Sequence, residues 1–139
     1  FFFFFMKIKY LSAAFLLFLS MACNDSTNNK KAENDTDAAR EFVRAVLDGD
    51  FSKASFYLLK DSTNQLLIER QKKNYEQLNS LERNNYKESS IRPVGIIKEN
   101  DSTTIFRYYH SANPTDTTPL RIVKQNGEWL VDLKSVIKM

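Results

Sequence analysis

The hydrophobic residues of this chain change their spacing once, near residue 88. Between residues 37 and 83, apolar side chains recur every three or four positions, which predicts amphipathic helices. Between residues 91 and 133, β-branched and aromatic residues form short runs separated by turn signals, which predicts antiparallel strands. Helices that precede strands, without alternation, indicate an α+β fold with three helices on one face of a curved, four-stranded antiparallel sheet.

Start and stop signals predict the three helices. Thr36 and Asp37 are favourable N-cap residues for the first helix, and Gly49 suits the position that follows its end. Asp50 caps a short second helix. The third helix is predicted to run without interruption over residues 63–83.

The strands are separated by polar turns. They are predicted over residues 91–97, 103–111, 120–124 and 128–133. The dipeptide Asn126 and Gly127 is the strongest short hairpin signal in the chain. Trp129 shares a face of the last strand with Val131 and Leu133, so it is expected to supply large apolar area to a small core.

The first 22 residues have the pattern of a secretory signal peptide. Five phenylalanines precede Met6, which we take as the true start of the protein, and Lys7 and Lys9 then precede an apolar run over residues 10–22. That run is shorter than the about 20 apolar residues that span a bilayer. Because Cys23, the only cysteine, follows directly, this stretch resembles a bacterial lipoprotein signal.

The resemblance implies a membrane anchor. The thiol of Cys23 would carry a diacylglyceryl group, the amine exposed by removal of residues 1–22 would be acylated, and no other cofactor is expected. The implied location is the bacterial cell envelope, with the outer membrane or cell surface favoured over the inner membrane. The alternatives are a plain secretory signal peptide and a membrane helix that is not removed.

Residues 23–36 are predicted to form a lipidated, flexible tether, because residues 24–36 contain no apolar residue larger than alanine. The folded domain is then expected over residues 37–139. Removal of Lys7 and Lys9 with the signal peptide lowers the formal net charge from +3 to +1. This balance does not indicate a nucleic-acid partner.

Two segments resemble the nuclear-transport-factor-two-like, or ketosteroid-isomerase-like, family. The residues that carry the resemblance are Ala39, Phe42, Ala45, Gly49, Asp50, Phe51 and Ala54 in the first segment, and Val123, Lys124, Gly127, Glu128, Trp129, Val131 and Asp132 in the second. The resemblance covers residues 37–138 and implies a cone-shaped α+β domain. Bacterial lipoproteins of unknown function carry such domains, and members of the family bind partners or small ligands, form dimers through the outer face of the sheet, or act as acid–base enzymes.

The composition excludes several enzyme chemistries. One histidine and one cysteine do not suffice for a cysteine–histidine nucleophile, if the cysteine carries lipid, or for a zinc site built from several such residues. The three glycines form no phosphate-binding loop. We therefore predict no catalytic residues and no metal site, and the protein is expected not to be an enzyme.

Three functional hypotheses remain. The first is a tethered, non-enzymatic binding or interaction domain, which uses the outer face of the sheet for a protein partner or a second copy. The second is a small-ligand carrier or sensor, in which Tyr57, Tyr108, His110 and Trp129 line a cavity of the cone. The third is an acid–base enzyme of the isomerase kind.

The interpretation of His110 depends on which face of its strand is internal. By alternation, His110 shares a face with Thr104, Phe106 and Tyr108, but both faces of the strand carry aromatic residues and the pattern does not distinguish them. His110 is therefore either a polar group in an apolar cavity or a residue at the rim of the domain. Core packing is the corresponding alternative for Tyr57 and Trp129.

Overall fold

The computed structural model describes residues 29–136. The predicted signal segment, Cys23 and residues 24–28 of the predicted tether lie outside the described residues. The elements are α1 (Asp35–Asp48), α2 (Phe51–Phe56), α3 (Ser62–Glu76), α4 (Ser80–Glu88), β1 (Ile91–Asn100), β2 (Thr103–His110), β3 (Thr118–Gln125), β4 (Glu128–Asp132) and a final 3₁₀ turn (Leu133–Val136). The predicted α+β class is confirmed, and the four antiparallel strands are ordered β1-β2-β3-β4.

Helix α1 begins earlier than predicted. Asn34 is its N-cap and its side chain accepts a hydrogen bond from the Asp37 N–H at 2.9 Å. Asp35 and Thr36, which were assigned to the tether from the sequence, form the first turn. The carboxylate of Asp35 is buried, where it accepts a hydrogen bond from the Thr104 hydroxyl at 2.5 Å and thereby ties α1 to β2.

The residues that precede α1 also contact the domain. The Tyr57 hydroxyl donates a hydrogen bond to the Lys30 carbonyl at 2.6 Å, and the Lys31 ammonium lies 2.6 Å from a carboxylate oxygen of Glu128. Ala32 packs against the core. Residues 30–34 of the predicted tether therefore lie against the folded domain.

The prediction of one long third helix is wrong, because two helices occupy this stretch. α3 ends at Glu76 and α4 begins at Ser80, which makes four helices among the described residues. Asn79 and Glu82 form a capping box, in which each side chain accepts a hydrogen bond from the other residue's backbone N–H, at 2.9 and 3.0 Å. This reciprocal cap starts a new helix and allows the chain to change direction.

The inner face of the sheet packs against the helices. Phe106 on β2 pairs with Leu120 on β3, and Ile122 on β3 pairs with Val131 on β4. All four side chains are buried, together with the apolar stripe of α1. Because Phe106 belongs to the face that also carries Tyr108 and His110, this face of β2 is the internal one.

The two edges of the sheet differ. At the β4 edge, the Val131 N–H donates to the Tyr57 carbonyl and the Leu59 N–H donates to the Val131 carbonyl, each at 2.8 Å. At the other edge, no strand among residues 29–136 pairs with the outer side of β1. β1 carries irregularities in its register near Val94 and Glu99, which interrupt its pairing with β2.

Candidate functional site

A cavity of about 320 Å³ lies between α1, the α3–α4 pair and the inner face of the sheet. Its walls combine residues from each of these layers. Those residues are Phe42, Val43, Val46, Leu47, Phe51, Gln71, Asn74, Tyr75, Leu78, Tyr86, Tyr108, His110, Thr118, Leu120 and Leu133.

The spacing of apolar residues in α1 creates the largest apolar wall. Val46 lies four positions after Phe42, and Leu47 lies four positions after Val43. These four residues therefore lie on one side of the helix. The facing wall comes from the sheet, where Tyr108 on β2 pairs directly with Thr118 on β3. The cavity therefore lies at the end of the sheet that carries the β2–β3 loop.

Tyr75 of α3 forms a third wall, and Gly49 allows its position. Gly49 ends α1 with a φ of +74°, and a Cβ atom there would lie 2.5 Å from Cε1 of Tyr75. The Tyr75 ring also packs edge-on against Phe51, with ring centroids 5.7 Å apart, while the Arg83 guanidinium lies 5.5 Å from the ring centroid. These contacts hold α3 against the α1–α2 junction.

Arg44 positions α4 and its cavity residue Tyr86. The Arg44 guanidinium donates hydrogen bonds to the carbonyls of Tyr86, Lys87 and Ser89, at 3.2, 3.0 and 2.7 Å. A cation at these carbonyls stabilises the C-terminal end of α4. Arg44 also forms an ion pair with Asp48, at 2.9 Å, which orients the guanidinium.

Tyr108 and His110 form the polar end of the cavity. Burial, together with the negative charge of Asp116, raises the pKa of the Tyr108 hydroxyl to about 12, so it remains protonated at neutral pH. Burial lowers the pKa of His110 below its ordinary value, and Asp116 acts in the opposite direction. The imidazole packs edge-on against Tyr86, with ring centroids 5.3 Å apart.

These two polar side chains are not fully hydrogen-bonded. His110 Nδ1 is enclosed by protein and has no hydrogen-bond partner within the described part of the chain. The Tyr108 hydroxyl also has no partner there, but it is not among the fully enclosed atoms. Most buried polar groups in proteins are paired, so the enclosed and unpaired Nδ1 of His110 needs an explanation.

The structure brings together two of the four side chains predicted to line a cavity. Tyr108 and His110 line this one, whereas Tyr57 and Trp129 do not. Tyr57 is buried at the end of α2, and Trp129 pairs with Lys124 at the opposite end of the sheet from Tyr108. The Lys124 ammonium lies 5.6 Å from the centroid of the Trp129 ring. Alternation in a strand predicts the face of a residue, but not the end of the sheet at which a cavity opens.

Tyr75 and Tyr86 were not predicted from the sequence to line a cavity. Tyr86 lies on α4, which begins only after the break at residues 77–79. The spacing of Asn79 and Glu82 is that of a capping box and was a usable signal for a helix start. A helix beginning there would have placed Tyr86 on a separate element.

Other features of the described region give fewer indications of function. No group of three or more residues among His, Cys, Asp and Glu within residues 29–136 could hold a metal ion. No helix in this range is long and apolar enough to cross a membrane. Three large apolar side chains of β1 are exposed, namely Val94, Ile96 and Ile97 at 53%, 47% and 53%.

Comparisons with known proteins add no assignment. No protein-family model, no curated protein and no solved structure matches this chain.

Proposed function

We propose that this protein is a membrane-tethered lipoprotein whose domain binds a small, largely apolar ligand in the cavity between α1, the α3–α4 pair and the sheet. The observation that carries the proposal is the cavity itself, with its volume of about 320 Å³ and with Tyr108 and His110 in its lining. The proposal favours the carrier or sensor hypothesis over the protein-interaction hypothesis. It treats the protein as a binding domain and not as an enzyme.

The size and composition of the cavity support this proposal. Apolar cavities of about 150 Å³ bind benzene, and ligand pockets commonly measure about 300–1,000 Å³. Ligand pockets also combine apolar walls with a few polar groups that orient the ligand. Phe42, Val46 and Leu120 supply the apolar walls here, and Tyr108 and His110 supply the polar groups.

The proposal includes the cone-shaped family architecture. Support comes from the α1–α2 junction at Gly49 and Asp50, from the closing β3–β4 hairpin that carries Trp129, and from a cavity that lies between the helices and one face of the sheet. A cone of this kind would enclose a ligand between the helices and the sheet.

Filling the cavity tests the ligand proposal. Val46 is half-buried in the α1 wall, so the larger side chain of Val46→Phe occupies part of the cavity. Native mass spectrometry of the purified chain is expected to detect a bound small molecule, and Val46→Phe is expected to abolish its retention. Val123→Phe is the matched control, because Val123 is also half-buried but lies on the outer face of β3.

Two results would contradict the proposal. One is the absence of any bound small molecule from protein purified without detergent and from protein offered a panel of apolar compounds. The other is equal retention by Val46→Phe and Val123→Phe, since the ligand would then lie elsewhere. Thermal unfolding of both variants checks that each still folds.

The membrane tether is tested separately. Cys23 lies outside the described residues, and its assignment depends on the signal pattern of the sequence. Metabolic labelling with a palmitate analogue is expected to mark the chain but not the variant Cys23→Ala. Equal labelling of both proteins would show that the anchor assignment is incorrect.

The exposed side chains of β1 favour a second candidate function, self-association through the sheet. Val94, Ile96 and Ile97 are about half exposed on an edge strand that has no further neighbour among the described residues. If two copies associate there, Ile97→Lys is expected to shift the chain to monomer in sedimentation velocity. Leu81→Lys is the control, because Leu81 is 69% exposed on α4; an unchanged association state in Ile97→Lys contradicts this function.

A further inference from the structure

One tripeptide recurs along this chain. Aspartate followed by serine or threonine and then by threonine occurs four times, at residues 25–27, 61–63, 101–103 and 116–118. The chain has 9 aspartates, 12 serines and 8 threonines in 139 residues, so a random order would give less than one such tripeptide. The recurrence therefore needs a common cause, which is either a shared structural role or recognition of the tripeptide by another molecule.

The three copies within the described residues lie in different structural settings. Residues 61–63 begin α3, residues 101–103 turn from β1 into β2, and residues 116–118 lead from the β2–β3 loop into β3. Aspartate and serine are favourable cap and turn residues, which accounts for the first two positions. The third position lies in a helix in one copy and in a strand in the other two, so a shared structural role does not account for its threonine.

The middle residue is accessible in each described copy. Ser62, Ser102 and Thr117 are all exposed, whereas the third residue of one copy, Thr103, is buried. The hydroxyls of Ser62 and Thr117 have no hydrogen-bond partner in the described part of the chain. The Ser102 hydroxyl donates to the Asn100 side chain within its own turn, at 3.0 Å. The feature that the three copies share is thus an exposed hydroxyl directly after an aspartate.

We infer that Ser62, Ser102 and Thr117 are acceptors for O-linked glycosylation, and that the tripeptide is the sequence that the glycosyltransferase recognises. The donor is an activated sugar whose anomeric carbon is bonded to a phosphate. The hydroxyl oxygen forms a bond to that carbon, the bond between the carbon and the phosphate oxygen breaks, and the phosphate keeps the electron pair. The hydroxyl proton passes to a base of the transferase.

Phosphorylation would use the same hydroxyl groups. It requires a nucleoside triphosphate, which is a cytoplasmic donor, whereas a sugar can be carried across a membrane on a lipid phosphate. The signal pattern of residues 1–22 places the domain beyond the cytoplasmic membrane in the proposed function. The choice of a sugar therefore rests on the tether of the proposed function and is independent of its cavity.

Peptide mass spectrometry tests this inference. The full chain is purified from the membranes of the bacterium that makes it and is cleaved with trypsin. Cleavage after lysine and arginine places the three described copies on separate peptides, residues 61–70, 99–107 and 108–121. We expect each of these peptides to carry an added sugar, recognised by the oxonium ions that it releases on fragmentation. The peptide that contains Cys23 reports lipid attachment in the same sample.

Substitutions in the β2–β3 loop separate recognition of the tripeptide from exposure alone. Thr117→Ala removes the acceptor, and Asp116→Ala keeps the acceptor but removes the acid. Either variant is expected to abolish the sugar on peptide 108–121 and to leave the other two peptides unchanged. Thr115→Ala is the matched control, because Thr115 is an exposed threonine of the same loop that lies outside the tripeptide, and it is expected to change nothing.

The possible outcomes separate the inference from the proposed function. Internal peptides with the mass of the bare sequence, or with a phosphoryl group in place of a sugar, overturn the inference. Retention of the sugar in Asp116→Ala, or its loss in Thr115→Ala, also overturns it, since the tripeptide would then not be the recognised sequence. Lipid on the Cys23 peptide beside bare internal peptides overturns the inference alone, whereas the absence of lipid counts against the proposed tether.

Discussion

Two groups of buried polar side chains in this domain differ in how completely they are hydrogen-bonded. At the start of α3, the Asn64 side-chain amide donates to Asp61 and Asp132, at 3.1 and 3.2 Å, and its oxygen accepts from the Leu133 N–H at 2.8 Å. At the polar end of the cavity, Tyr108 and His110 have unpaired polar atoms. The first group connects distant segments of the fold, whereas the second has polar atoms that no described residue pairs with.

The two groups also differ in how far their hydrogen-bonding capacity is used within the described residues. Asn64 is completely buried, and both its amide nitrogen and its oxygen are used within the protein. Tyr108 is largely buried, yet its hydroxyl forms no bond within the described residues. The unpaired atoms in the cavity wall are therefore among the observations behind the proposal of ligand binding.

The largest expected effect comes from removing the hydrogen-bonded side chain of Asn64. Asn64→Leu removes one partner of Asp132 and leaves the buried Leu133 N–H without its acceptor, so we expect the free energy of unfolding to fall by about 2–4 kcal/mol. Urea denaturation measures the change. Asn84→Leu, at an exposed position of α4, is the control and is expected to change stability by less than about 0.5 kcal/mol. Equal stabilities of the two variants would contradict a structural role for Asn64.

Gly49 sharpens the comparison, because it supports a cavity wall through packing instead of hydrogen bonds. Gly49→Ala places a Cβ atom in the Tyr75 ring and a side chain at positive φ, so we expect a loss of about 2–3 kcal/mol in thermal or urea unfolding. Gly127→Ala has a similar φ of +77° but no atom within 4 Å of the added Cβ, so about 1 kcal/mol is expected. If both variants lose the same stability, the contact with Tyr75 has no energetic role.

Two tyrosine hydroxyls give opposite expectations. Tyr57→Phe removes a donor to the Lys30 carbonyl and is expected to lower the free energy of unfolding by about 1 kcal/mol. Tyr108→Phe removes a hydroxyl without a protein partner and is expected to leave stability unchanged or to raise it by up to about 1 kcal/mol. Urea denaturation of the ligand-free proteins measures both, and a clear destabilisation by Tyr108→Phe would show that its hydroxyl is used within the fold.

The smallest expected effect is a pH dependence of stability. Burial lowers the pKa of His110 below 6.5, so the unfolded chain takes up a proton at a higher pH than the folded chain. Stability should therefore fall as the pH decreases from 6.5 to the folded-state pKa, and this contribution should not change further below it. His110 is the only histidine, so His110→Phe is expected to remove this dependence from urea denaturation curves; its persistence would assign it to another group.

Local residue patterns predicted much of the fold. The signals at Gly49, Asp50, Asn126 and Gly127 indicated the α1–α2 junction and the last hairpin, because each needs only neighbouring residues to act. The break between α3 and α4 was missed because residues 63–88 contain neither glycine nor proline, and their composition suits a continuous helix. There, the capping box at Asn79 outweighs helix propensity.

The cavity was harder to predict from the sequence than the fold. Alternation placed Tyr108 and His110 on one face, but the buried side became evident only from the packing of Phe106 against the helices. Trp129 lies on the same face and fails to reach the cavity, because antiparallel pairing places it at the other end of the sheet. Distances along a sheet depend on register, which single strands do not specify.

The contacts of residues 30–32 have a mechanical consequence. A force applied to the chain on the N-terminal side of Asn29 would act first on the exposed ion pair between Lys31 and Glu128 and on the hydrogen bond from Tyr57 to Lys30. Each can break and re-form while α1 remains folded. Pulling on the chain at that point would thus extend a short segment before any load reached the cavity.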